Sequence, residues 1–119
     1  MDAQGHLNQA VYHELLAEVR SAFMARTLPD LPFTGYVLAR VVLDYRHEVR
    51  YEDGRLLGEV AVADVGRSRI ELDNRLLLPD DTVAAEGRAV LVAWDERSRR
   101  SRALTDRERA LLDLARSPG

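Results

Sequence analysis

Only one stretch of this sequence can form a long helix, and the rest of its apolar surface must fold against that stretch. From about Gln9 to Leu28, Val11, Leu15, Val19, Ala22 and Phe23 recur at spacings of three and four, with Tyr12 and Leu16 widening the stripe. Asn8 suits the N-cap, and Pro29 and Pro32 end the run. Such a helix is about 30 Å long, enough to lie across a whole sheet.

After Gly35 the period changes to that of strands. Tyr36 to Arg50 is rich in Val, Leu and Tyr, and Glu52-Asp53-Gly54 reads as a hairpin turn. Arg55 to Val65 alternates loosely and ends at Gly66. Arg67 to Leu78 alternates cleanly: Ser68, Ile70, Leu72, Leu76 and Leu78 face one way, and Arg67, Arg69, Glu71, Asp73 and Arg75 the other. Pro79-Asp80-Asp81 makes a turn, and Thr82 to Glu96 gives a last strand with Val90, Val92 and Trp94 on one face. Thr105-Asp106-Arg107-Glu108 is a capping box that opens a short helix through Ala110, Leu111 and Leu114. The expected architecture is α+β in two layers: a four-stranded antiparallel meander under one long helix, with a short C-terminal helix. Residues 1–119 form a single domain, without repeat or linker.

Composition removes several classes of function. All 17 basic residues are arginine, which excludes a Schiff-base lysine and a P-loop lysine. Contacts to phosphate then fall to arginine, backbone N–H groups or helix termini. With no cysteine there is neither a disulfide nor a thiol nucleophile. His6, His13 and His47 show no metal-ligand spacing, so no metal is expected. No serine sits in a GxSxG elbow. A net charge of −3 argues against a general nucleic-acid binder. No apolar run is long enough for a membrane span, and the opening Met-Asp-Ala-Gln-Gly-His is not a secretory signal. The cytoplasm is the expected compartment.

The segment from Asp2 to Tyr12 carries the chemistry. A carboxylate, Asp2, stands a few residues ahead of a helix N-terminus, across a turn that Gly5 permits. The free N–H groups of the helix start point to the same place. A carbonyl held there would be polarised, with Asp2 nearby as base or nucleophile. The same residues also suit a plain turn with Asn8 as a plain cap.

Asp2, Gly5, His6, Leu7, Asn8 and Tyr12 resemble the signature of the 4-hydroxybenzoyl-CoA thioesterase-like branch of the hotdog superfamily. Tyr45, the Asp53-Gly54 turn, Val65-Gly66-Arg67-Ser68 and the closing capping box extend the likeness over nearly the whole chain. Gln9 stands where a second Asn is common. Members of that branch carry a further strand ahead of the motif; here the motif opens the sequence, so four strands are expected. The resemblance implies an acyl-CoA or acyl-carrier-protein thioesterase, with coenzyme A as part of the substrate and no separate cofactor. It implies that Asp2 attacks the thioester or activates water, and that the Gln9 N–H holds the carbonyl oxygen. His6 and Asn8 would shape the turn, and Ser68 would face the acyl site of a partner subunit in a homodimer or homotetramer. Apart from the resemblance, the run Arg97, Arg99, Arg100 and Arg102 has the charge of a nucleic-acid patch, but its flanking acidic residues favour a solvated strand end; if it is functional, Arg97, Arg99 and Arg100 would meet the phosphates of coenzyme A, where arginine forks suit phosphate oxygens. The alternative to an enzyme is a non-catalytic hotdog module that binds acyl-CoA or serves in assembly.

Overall fold

The computed structural model describes residues 9–47, 49 and 55–116. Helix α1 spans Gln9–Thr27. Its last turn closes with the Leu28 N–H donating to the Met24 carbonyl at 2.8 Å, and Pro29 prevents continuation. A 3-10 turn at Phe33–Gly35 leads into strand β1, Tyr36–Tyr45. Strands β2 (Leu57–Val65), β3 (Arg69–Leu77) and β4 (Val83–Asp95) follow, then a two-residue strand β5 (Arg100–Ser101) and helix α2 (Asp106–Asp113). The result is the two-layer α+β arrangement of the hotdog fold.

The strand order is β1-β4-β3-β2, all antiparallel, with β5 beside the end of β4. This corrects the expected simple meander. β2, β3 and β4 are joined in sequence, but β1 pairs with β4, at the edge of the sheet opposite β2. β1 and β2 are therefore about 14 Å apart at ordinary strand spacing and do not pair as a hairpin. The Asp53-Gly54 turn itself lies outside the described residues. Alternation along a strand records which face a side chain takes, not which strand it will pair with. β1 is also shorter than expected. The Arg46 and His47 N–H groups both donate to the Ala84 carbonyl, at 2.8 and 3.1 Å, and this turns the chain out of the ladder.

The buried stripe of α1 is Tyr12, Leu16, Arg20, Phe23, Met24 and Leu28; Val11, Leu15 and Val19 are half-buried and Ala22 is exposed. This is a rotation from the expected stripe, because α1 lies nearest β2 and β3. Val19 sits directly over Gly58 of β2, where any side chain would overlap its methyl groups. β3 turns Ile70, Leu72, Asn74 and Leu76 into the core, and β4 contributes Ala85, Ala89, Leu91 and Ala93. Val90, Val92 and Trp94 share the other, half-exposed face of β4. Small residues on the helix side keep α1 close to the sheet.

The core divides in two. Phe23, Met24 and Leu28 pack with Val62, Ile70, Leu72, Leu91, Leu104 and Leu112. Tyr12 and Leu16 pack with Val49, Leu76, Leu78, Ala84 and Ala85. α2 closes the first half, and its N-terminus is the capping box read from the sequence: the Thr105 side chain accepts from the Glu108 N–H, and the Glu108 carboxylate from the Thr105 N–H.

Candidate active site

α1 begins at Gln9, and the first turn of any helix has N–H groups without intrahelical partners. Summed peptide dipoles add positive potential there. That end of α1 sits over an aromatic cluster. The Tyr12 ring meets the Tyr45 ring edge-on with centroids 5.0 Å apart, and the Tyr45 hydroxyl lies 3.4 Å from Nε2 of exposed His13. Tyr12 is buried, which fixes the first turn against the end of β1. Of the residues expected to act here, Asp2, His6 and Asn8 lie outside the described residues. Gln9 is described as the first residue of the helix, which is where an anion-stabilising N–H belongs.

Ser68 and the arginines lie at the other end of α1. Ser68 occupies the bend between β2 and β3, not the strand itself, and its carbonyl accepts from the Ala93 N–H at 2.7 Å. Ala93 packs with Phe23, Met24 and Leu28, in the last turns of the helix region. Two residues further on, Asp95 starts the turn to β5. Its carboxylate caps the Arg97 and Ser98 N–H groups at 3.0 and 3.4 Å. Arg97, Arg99 and Arg100 are exposed, and among the described residues their side chains carry no hydrogen bond or ion pair with another residue. A helix of 19 residues is about 28 Å long, so one protomer holds Gln9 and this group far apart.

Two polar groups in the interior were passed over by the sequence reading. Arg20 is only 7% exposed and Asn74 only 3%. Burial pushes the Arg20 pKa down, and the nearby Tyr36 partly offsets this. The Asn74 amide donates to the Leu72 carbonyl at 2.8 Å, but its Oδ1 is buried and accepts nothing among the described residues. Both were legible. Arg20 falls four residues after Leu16 and four before Met24, and Asn74 falls two from Leu72 and from Leu76.

At the α2 end, Arg102 binds the Glu108 carboxylate through two nitrogens, both at 2.8 Å. This pair, with the Thr105 bonds, holds the Glu108 carboxyl down at about 2. Arg109 donates to the Gly66 carbonyl at 2.7 Å, and the Leu104 N–H to that of Arg67 at 2.8 Å, so α2 steadies the bend that carries Ser68. Among the described residues no cluster of three metal-ligating side chains occurs, and no helix is long and apolar enough to cross a membrane.

One long helix seated on an antiparallel sheet of order β1-β4-β3-β2 defines the class: a hotdog-fold protein. The sequence profile of the Thioesterase-like superfamily matches residues 1–112, and the chain belongs to that superfamily. A predicted thioesterase from Bacillus stearothermophilus superposes with a TM-score of 0.87 at 23% identity, over 99% of this chain and 90% of that one. A thioesterase from Thermus thermophilus, solved with coenzyme A and Zn, gives a TM-score of 0.85 at 25% identity over 97% and 84%. A 1,4-dihydroxy-2-naphthoyl-CoA thioesterase from Synechocystis gives 0.79 at 14% identity over 95% and 87%. No curated protein sequence matches the chain significantly.

Proposed function

We propose that this chain hydrolyses the thioester of an acyl-CoA, or of an acyl-carrier-protein, to the free acid and the thiol. The observation that carries the reading is the superfamily match over residues 1–112, which includes the Asp2–Tyr12 motif. In the proposed mechanism the substrate carbonyl oxygen rests on the Gln9 N–H at the start of α1. Charge that develops on that oxygen is stabilised by a donor already in place. Asp2 either takes a proton from a water that attacks the carbonyl carbon, giving the free acid directly, or attacks that carbon itself to form a mixed anhydride that a water then hydrolyses to the free acid and the Asp2 carboxylate; in both routes the carbon–sulfur bond breaks and the thiolate leaves. His6 and Asn8 order the turn between Asp2 and the helix.

The same reading makes the working unit a homodimer or a homotetramer built from two dimers. Ser68 and the arginine turn stand at the end of α1 opposite Gln9, so an antiparallel second copy would bring one chain's Ser68 to the other chain's helix start. Among the described residues β1 pairs only with β4, and Leu38 and Tyr45 are 50% and 40% exposed, an edge that a second copy would cover. Arg97, Arg99 and Arg100 then provide the phosphate contacts for coenzyme A. The proposed compartment is the cytoplasm. The test is a screen of short-chain, long-chain and aromatic acyl-CoAs for enzyme-dependent release of free thiol. Release from at least one of them above the rate without enzyme supports the reading; no release from any contradicts it.

A further inference from the structure

Trp94 is the only tryptophan of the chain, and it takes no part in either half of the core. It stands near the end of β4, half-buried, on the face that it shares with Val90 and Val92 and that points away from α1. On β1 that face continues into Val37, which lies opposite Val92 and is 37% exposed. On the other side Trp94 pairs with Ser101 of β5, whose side chain is too small to cover an indole. Among the described residues no other aromatic ring meets the Trp94 ring, and its indole N–H has no hydrogen-bond partner. An indole is a large flat apolar surface with one polar edge, and it gains most from a second flat ring laid on its face.

One residue after Trp94 the chain enters the turn between β4 and β5. Two backbone N–H groups, of Arg97 and Ser98, take up the Asp95 carboxylate, and the Arg99 N–H donates to the Asp95 carbonyl at 2.8 Å. The turn is tied to its own first residue, and Arg97, Arg99 and Arg100 leave it as exposed guanidinium groups with no ion pair among the described residues. Arg102, by contrast, is held by both oxygens of Glu108. Arg97 is three residues from Trp94, at most about 10 Å, and Arg100 directly precedes the Ser101 that pairs with it. A flat apolar face beside unpaired planar cations complements a purine nucleotide: the base lies on the indole and the guanidinium groups meet phosphate.

We infer that Trp94 is the platform on which the adenine of coenzyme A stacks, with Arg97, Arg99 and Arg100 holding the phosphates joined to the same ribose. The inference rests on the thioesterase reading and narrows its substrate class. Arginines alone would hold any polyanion; the indole adds a requirement for a base. An acyl-CoA carries that base, whereas an acyl-carrier-protein presents the same thiol arm on a phosphate without one. One protomer keeps this turn far from Gln9, so the Trp94 of one chain serves the Gln9 of its partner.

A single tryptophan makes the wild-type protein its own probe. Excited where adenine does not absorb, its emission is expected to be quenched saturably by coenzyme A and by adenosine 3′,5′-bisphosphate, and to be unchanged by pantetheine or inorganic diphosphate. Emission that ignores both nucleotides overturns the inference, including the case where it changes only on dilution because a second copy covers the indole. Equal quenching by diphosphate means a phosphate site alone, and also overturns it. In kinetics, Trp94→Leu should raise KM for an acyl-CoA, relative to KM for the matching acyl-pantetheine, about fivefold or more, and Trp94→Phe should fall between. An unchanged ratio in folded Trp94→Leu contradicts the platform; if that variant does not fold, the wild-type emission decides. The two readings fail separately. Thiol release without nucleotide-dependent quenching keeps the thioesterase and removes the platform; quenching by nucleotide without thiol release from any acyl-CoA does the reverse.

Discussion

Glu108 does two jobs with one carboxylate: it caps the first turn of α2 and binds Arg102 through both of its oxygens. Its pKa in the fold is about 2, against about 4.3 for an ordinary glutamate. The sign follows from linkage. A carboxyl with a depressed folded pKa stabilises the fold at pH values above its unfolded pKa, and that stabilisation drains away as pH falls toward the folded pKa. The melting temperature of the wild type is therefore expected to drop between about pH 4.5 and pH 2, and more gently in Glu108→Gln. At neutral pH that variant should lose about 1 kcal/mol, read from denaturant unfolding; equal stability and an unchanged acid profile would contradict the assignment. Arg99 gives a second residue-scale expectation. It holds a left-handed φ of 58° in the β4–β5 turn, a conformation that costs a side chain about 1 kcal/mol. Arg99→Gly should raise the melting temperature. If the turn also holds coenzyme A phosphates, it should raise KM for acyl-CoA while leaving KM for the matching acyl-pantetheine, which lacks the nucleotide, near its wild-type value.

At the scale of elements, the helix and the capping box were legible because both are local. Apolar residues at spacings of three and four, a proline stop and a Thr-x-x-Glu box act within a few residues of themselves. The place of β1 was not legible. Val41 and Leu43 alternate as well for a partner on either side, and only the chain's path across the sheet decides that Leu43 lies opposite Gly87. Gly87 marks the spot, since a side chain there would overlap the Val42 carbonyl, but a lone glycine in a strand does not say what approaches it. The candidate site was legible to a similar degree. The helix start at Gln9 follows from the sequence; the separation of Ser68 and the arginines from it does not, because periodicity carries no information about which ends of elements coincide. Arg20 and Asn74 could have been found by running the core periods through polar residues too. One element contact gives a direct check. Gly58→Val sets a side chain against Val19 and should cost about 1–3 kcal/mol by overpacking, measured by denaturant unfolding. A neutral result would mean that α1 rides higher over β2 than described.

At the scale of the molecule, an edge of β1 that has no second strand among the described residues and the separation of Gln9 from Ser68 lead to one expectation. The protein should run in solution at a multiple of the 13.4 kDa of one chain. Val41→Pro removes a backbone donor from β1, and an excess of monomer together with loss of hydrolysis is the expected outcome, followed by light scattering and thiol release. A wild type that is monomeric and active would contradict the shared-site arrangement. The proposed hydrolysis depends on the Asp2 carboxylate as base or nucleophile. Its most direct measurement is thiol release from the best acyl-CoA by wild type and Asp2→Asn, with circular dichroism to confirm that both are folded. Hydrolysis is expected to fall to background in Asp2→Asn with the fold intact; turnover that survives the substitution would overturn the role given to Asp2.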